Sequence, residues 1–281
     1  MHEHIIMNNR HFELRKKGKI EYFVCKELEK LKWLTHAFST RLGGISPLPK
    51  DALNLTFLDV DAKENVIINR NKFFKALHIP HGFLRTAQQL HSNKVVVLDE
   101  TDNYKIDSKP VGDALITAQS NLALAIQVAD CYPILIVDLN RRVIANIHAG
   151  WRSTLRGIVE NTLQIFQKHF GCSRKNLLAI IGPGIGKCCY EVGSEVVEQF
   201  SEFLPDRKTF WQPSLADTYY LDLLGIIKYQ LQNFGLSTKQ IIALELCTSC
   251  HSDLFFSYRK EGKSSGRMMS IILRKYFFSL D

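Results

Sequence analysis

The feature that most constrains this chain lies between positions 94 and 148. Residues 94–98, 114–117, 122–128, 134–138 and 143–148 are short apolar or β-branched runs, and no helix-length segment of 3.6-residue period separates them. Strands that follow one another without intervening helices exclude a regular βαβ repeat. Residues 36–40 and 177–181 read as further strands. Helical spacing is confined to 65–77, 154–170, 195–203 and 221–234; in the second of these, Leu155, Ile158, Val159, Leu163 and Phe166 form one apolar stripe. The predicted fold class is α+β, with mixed β-sheets flanked by helices on their outer faces.

With 281 residues, 46% of them hydrophobic and 23% charged, the chain can bury a sizeable core. It has no repeat or low-complexity linker, so one domain over 1–281 is expected, with 1–18 as a loosely ordered N-terminal extension. The most apolar stretch, 122–137, is interrupted by Gln127, Asp130 and Pro133, which excludes a membrane span. The N-terminus lacks the apolar segment and cleavage site of a secretory signal, and a cytoplasmic location is expected. Seven cysteines in such a chain point to thiols, metal ligands or a nucleophile. The net charge of +8 favours anionic ligands. The basic residues are dispersed apart from short clusters such as Arg15-Lys16-Lys17, so a solvated basic surface is expected and no nucleic-acid partner.

The residues with most chemistry sit where apolar runs end. Cys131 lies in Ala129-Asp130-Cys131-Tyr132-Pro133 and His148 in His148-Ala149-Gly150-Trp151-Arg152, while His91 follows Gln88-Gln89-Leu90. Two His and one Cys match the three protein ligands of a catalytic zinc, which leaves a fourth position open. Their separations of 40 and 17 residues match no local zinc-finger pattern, and from spacing alone a buried small Cys with satisfied His side chains is the favoured reading of such a trio. Cys131 as nucleophile with His148 as base is a different chemistry on the same residues. Convergence of His91 on the same point separates the two. Asp113 and Asp130 are candidate acid/base groups or partners of a ligating His. Arg41, beside Gly43-Gly44, and Arg152, beside Gly150, are candidate anion-binding residues.

Other motifs carry less. Gly182-Pro183-Gly184-Ile185-Gly186-Lys187 fits neither the dinucleotide nor the Walker A pattern and reads as a tight turn lining a pocket. Cys247-Thr248-Ser249-Cys250 lacks a second CxxC, and the adjacent Cys188-Cys189 is an awkward supply of two tetrahedral ligands. Buried thiols are therefore expected there. His2 and His4 fall in the expected extension. Ser257-Tyr258-Arg259 and Gly266-Arg267 add polar groups without independent sign of a site.

Taken in order, His36-Ala37-Phe38-Ser39-Thr40-Arg41-Leu42-Gly43-Gly44, Gln89-Leu90-His91-Ser92, Gly112-Asp113-Ala114, the Cys131 and His148 motifs, Ile181-Gly182-Pro183-Gly184 and Phe255-Phe256-Ser257-Tyr258-Arg259 resemble one family, from about Thr35 to Met269. It is the YfiH/YlmD family, labelled laccase-like or multicopper polyphenol oxidase and described as purine nucleoside phosphorylases. The resemblance implies a layered α/β/β/α fold like that of Cys-His toxin deamidases. It also implies zinc on His91, Cys131 and His148, with copper a minor candidate. The implied activity is phosphorolysis of adenosine, inosine and methylthioadenosine to base and ribose 1-phosphate, together with adenosine deamination. Purine nucleosides and phosphate are then the partners, with Arg41 and Arg152 as the expected phosphate site and Asp113, Asp130 and Arg41 as catalytic candidates. A Cys131–His148 amidase, a copper oxidase and a binding module are the competing readings. Oligomeric state is left open.

Overall fold

The computed structural model describes residues 9–80, 82–99, 109–204 and 209–276. His2 and His4 lie outside the described residues. Besides short turns, the chain forms β1 (Phe12–Lys17), β2 (Ile20–Cys25), β3 (Leu34–Ser39), β4 (Leu42–Ser46), α1 (Lys63–Ala76), β5 (Leu84–Thr86), β6 (Val95–Leu98) and β7 (Ala114–Thr117). It continues through β8 (Leu122–Val128), β9 (Tyr132–Asp138), β10 (Ile144–Ala149), α2 (Trp151–Leu155), α3 (Ile158–Lys168) and β11 (Leu177–Ile181). The last third holds β12 (Glu191–Gly193), α4 (Ser194–Ser201), β13 (Trp211–Pro213), β14 (Thr218–Leu221), α5 (Leu223–Asn233), β15 (Ile241–Ala243), α6 (Tyr258–Glu261) and β16 (Met268–Arg274).

Two six-stranded mixed sheets stack face to face, in the orders β1-β2-β3-β16-β8-β5 and β15-β11-β9-β10-β7-β6. In each, the parallel pairs lie at the margins: β5 with β8, β6 with β7, and β11 with β15. Strand alternation assigns the layers. In β8, Leu124 and Ile126 point inward to meet Leu135 and Val137 of β9, whereas Ala123 and Ala125 point outward to Phe73 and Phe74 of α1. The outer face of the second sheet buries Ile134, Ile136 and Ile147 against Ile158, Leu163 and Phe166 of α3 and Ile227 of α5. The α+β expectation and the four-layer order are what these contacts build.

Two local expectations need correction, and one strand was not foreseen. Residues 154–170 do not form one helix, because Gly157, with φ of 80°, breaks the stripe between α2 and α3. The supposed loose extension is strand β1 from Phe12 onward, paired along its length with β2 through a turn at Gly18 and anchored by buried Phe12. β16 was not anticipated, yet it is central to the first sheet, between β3 and β8.

The apolar interface between the sheets contains a polar tie. Asn146 of β10 donates to the carbonyls of Leu124 and Ser270 and accepts from the Ser270 hydroxyl, at 3.0, 3.0 and 2.8 Å. Asn146→Ala strands these buried partners and should lower the unfolding free energy by about 1–3 kcal/mol, measured by urea titration. A second prediction concerns His36 of β3, whose Nε2 accepts from the Cys25 amide at 2.7 Å. Burial, aided by Arg15, pushes its pKa down to about 3. An unfolded His takes its proton near 6.5. Between these values the unfolded chain binds more protons, so stability falls as pH drops through that window, by at most about 1.4 kcal/mol per pH unit. His36→Gln should flatten this dependence when the urea midpoint is followed from pH 7 to 5 in chelator.

Candidate metal centre and its cleft

Strand register, not sequence proximity, assembles this site. In the β9/β10 pair His148 lies opposite Pro133 and Ala149 opposite Tyr132, so Cys131, one residue before β9, sits beside the end of β10. On the other side of β10, Ile147 lies opposite Ala114 of β7, and the His148 amide donates to the Asp113 carbonyl at 2.7 Å. His91 comes from the segment between β5 and β6. His91, Cys131 and His148 each present a ligand atom, all within 4.8 Å of one another. The convergence that spacing left open is therefore present.

Asp113 is wholly buried beneath these ligands. Its carboxylate accepts the backbone amides of Leu90, His91 and Ser92 at 3.2, 2.9 and 2.7 Å, and the Ser92 hydroxyl at 2.7 Å. It also lies 2.9 Å from Nδ1 of His148. Burial alone would raise its pKa, but the hydrogen bonds from His148 and Ser92 outweigh it and hold the carboxyl down at about 2. Burial likewise opposes protonation of His148, yet the adjacent Cys131 and Asp113 lift that imidazole to about 9. His91 goes the other way, down to about 4, through burial and the neighbouring His148. Asp113 fixes the Nδ1–H tautomer of His148, so Nε2 is its ligand atom, as a carboxylate partner does for a ligating His.

Two observations fit a metal. Nδ1 of His91 is buried with no hydrogen-bond partner, a costly state for an imidazole nitrogen unless an ion takes its lone pair. A Cβ at Gly150 would lie 2.8 Å from that atom and 2.9 Å from the Cys131 sulfur, so only glycine leaves the space between the ligands open. His91 also holds a left-handed backbone, φ of 55°, which its three-amide anchor on Asp113 sustains. Arg156 adds a hydrogen bond to the His91 carbonyl at 2.9 Å.

The group opens onto a cleft of about 680 Å³. Trp151, Tyr190 and Tyr258 line it, and Arg152, Arg259 and Arg267, each lying over one of those rings, supply positive charge. Arg152 stacks on Trp151 with 4.2 Å to the ring centroid. Asp130, with φ of 80°, uses one carboxylate oxygen for the Thr248 hydroxyl and the other for the Arg259 amide, both at 2.6 Å. It ties the cleft's walls together.

Arg41 is not brought to the cleft. Its guanidinium is buried, donating to the carbonyls of Ser252 and Leu48 and to Glu261, and lies 4.4 Å from the centroid of Phe256. Arg41 therefore does not line the cleft beside Arg152, and the printed bonds of its two terminal nitrogens go to protein acceptors. Sequence reading named Arg259 and Arg267 without assigning them a site and did not single out Tyr190. They reach the cleft from α6, from the segment before β16 and from the segment before β12, across sequence distances that no local motif encodes. The buried-thiol expectation also fails, because Cys188 and Cys250 are exposed and converge with Cys189 and Cys247.

The family model that matches residues 35–275 is described as multi-copper polyphenol oxidoreductase laccase. The chain is 32% identical over 251 residues to a Bacteroides thetaiotaomicron protein named purine nucleoside phosphorylase, covering 85% of this chain and 91% of that one. It is 33% identical over 241 residues to Escherichia coli purine nucleoside phosphorylase YfiH, covering 83% and 91%. Among solved structures, Bacillus licheniformis hypothetical protein YfiH superposes with a TM-score of 0.86 at 30% identity, covering 93% of this chain and 99% of that one. Geobacillus stearothermophilus YlmD gives 0.86 at 28% identity, covering 94% and 99%.

Asp113→Asn keeps the shape but removes the charge that aligns the His148 imidazole and holds the backbone of His91. Metal affinity, measured by competition with a chromophoric chelator, should fall about 10- to 100-fold. Unchanged affinity would mean that Asp113 does not organise the ligands.

Proposed function

Because the chain belongs to the multi-copper polyphenol oxidoreductase laccase family, and its YfiH and YlmD relatives are named purine nucleoside phosphorylases, we propose that it is a zinc-dependent purine nucleoside phosphorylase. The observation that carries the reading is the His91–Cys131–His148 group at the floor of a cleft that combines aromatic faces with three guanidinium groups. Two His and one Cys are a donor set suited to zinc, and such a three-ligand set would leave a fourth position for water or substrate. They do not suit a multicopper oxidase. Among the described residues, the two groups of metal-type side chains contain two histidines between them, whereas multicopper chemistry needs many clustered imidazoles.

Zinc held there would supply Lewis acidity at the cleft floor. The chain's own residues do the rest. Trp151, Tyr190 and Tyr258 are the rings on which a purine would stack, and Arg152, with Arg259 and Arg267 also lining the cleft, would take inorganic phosphate through guanidinium N–H groups not already donated to Glu191, Ser265 and Gly266. Holding phosphate beside ribose C1′ converts a bimolecular encounter into a positioned one. An oxygen of phosphate bonds to C1′ as the C1′–N9 bond breaks, and the base leaves with the bonding pair. Asp113 and Asp130 are positioning residues in this account: the first is sealed from the cleft, and both oxygens of the second are engaged. Leu58 and Ile185 add apolar surface for the methylthio group of methylthioadenosine beside adenosine and inosine. Adenosine deamination extends the same reading, with the 6-amino group replaced by water and ammonia released.

No described helix is long and apolar enough to cross a membrane. All seven cysteines are unbridged, which supports work in the reducing cytoplasm. The competing reading, a Cys131 nucleophile with His148 and Asp113, uses the same hydrogen bonds. The unpartnered Nδ1 of His91 favours metal over it.

The test is chromatography of adenosine, inosine and methylthioadenosine incubated with and without phosphate. Phosphate-dependent release of base, lost in chelator and restored by zinc, is the expected result; inosine formed from adenosine without phosphate tests deamination separately. Cys131→Asp supplies a ligand but no thiol, so it should retain measurable phosphorolysis. A chelator-resistant amidase abolished by thiol alkylation would give the site to the nucleophile instead.

A further inference from the structure

The second cysteine group lies outside the chemistry above. Cys188 and Cys189 follow Gly186-Lys187 in the segment between β11 and β12, and Cys247 and Cys250 belong to the turn after β15. Their sulfurs all lie within 4.8 Å of one another, with Cys250 at 3.4 Å from both Cys188 and Cys189. A tetrahedral ion with bonds of about 2.3 Å to sulfur sets its ligands about 3.8 Å apart, inside this range. Sulfurs so close enclose one ion and leave no room for a multi-iron cluster. Nor is the arrangement a preset disulfide pair, since Cys250 stands equidistant from two candidates.

The surroundings are shaped for such a centre. A Cβ at Gly186 would lie 3.2 Å from the Cys247 Cβ and 3.3 Å from the Cys188 sulfur, so glycine lets the two segments close on each other. The segments are also joined by a bridge between Gly184 and Cys247 and by the Thr248 amide on the Gly184 carbonyl at 3.0 Å.

We infer that Cys188, Cys189, Cys247 and Cys250 form a second metal site, a mononuclear four-thiolate zinc that acts structurally. All four positions belong to protein, so the site is closed to substrate. What it braces is the cleft wall. Ile185 and Tyr190 flank the first cysteine pair, and Thr248, between the second pair, anchors Asp130 next to Cys131.

Metal content of the untagged full chain, measured by mass spectrometry together with protein concentration, tests this. About two zinc ions per chain are expected. Cys131→Ala and Cys250→Ser should each retain one, and the double variant none. Cobalt reconstitution of Cys131→Ala should give the intense sulfur-to-cobalt absorption of a four-thiolate site. In that variant the four thiols should also resist alkylation until a strong chelator is added, a readout that does not depend on Cys250→Ser folding. One zinc in the wild type that disappears entirely in Cys131→Ala overturns this inference and leaves the first centre standing. So do iron in the cysteine group, or four thiols alkylated equally fast with and without chelator. The converse result, one zinc kept in Cys131→Ala and lost in Cys250→Ser, supports the cysteine site and removes the first centre.

Discussion

The Asp113 carboxylate is the point from which the site is organised. It is a buried anion, which is unfavourable by itself, and it is compensated by three consecutive backbone amides, a hydroxyl and the His148 imidazole. Those partners are the scaffold of the ligand set. The amides belong to the segment that carries His91, and the imidazole is itself a ligand. One charge therefore fixes a loop conformation that is strained at His91 and the tautomer of His148 at the same time. The fold places Asp113 there because β7 and β10 are antiparallel neighbours whose ends coincide.

The walls of the cleft follow a similar logic on a larger scale. Asp130 bonds to Thr248 and Arg259, and its carbonyl accepts the Ile185 amide at 2.8 Å, so segments distant in sequence meet at one residue beside Cys131. The cysteine group joins two of those same segments from behind. A zinc there and the Asp130 hydrogen bonds would share the work of holding Ile185, Tyr190 and Arg259 in register. The guanidinium groups of Arg152, Arg259 and Arg267 then line the cleft from a frame with little freedom to rearrange.

Much of this was legible in the sequence where the period of a segment was unambiguous. β7, β8 and β11 begin and end where their apolar runs do, because each is buried on both faces and reads as a continuous run. β1 and β5 were hidden by charge and brevity, and β16 by its position past the last strong motif. Gly157 divided a stripe that periodicity alone joins. Within the site, Cys131 and His148 were visible because strand ends carry function, whereas the place of Arg41 away from the cleft was not, because an arginine beside glycines looks the same whether it binds an anion or caps carbonyls inside the fold. The cysteine group was undervalued for a similar reason: adjacent cysteines look unsuited to tetrahedral ligation until the turn that separates their side chains is known.

The family name points to copper oxidation, and the donor atoms point elsewhere. Two imidazoles and one thiolate around a glycine-lined space suit a single ion with an open face, set in a cleft lined by the rings and guanidiniums on which the proposed function draws. The measurement that reaches the centre of this account most directly is an anomalous difference map recorded across the zinc absorption edge from a crystal of the protein. The account predicts a zinc peak within bonding distance of His91 Nδ1, Cys131 Sγ and His148 Nε2. A map with no zinc peak there, in protein whose metal content shows zinc bound, would contradict it.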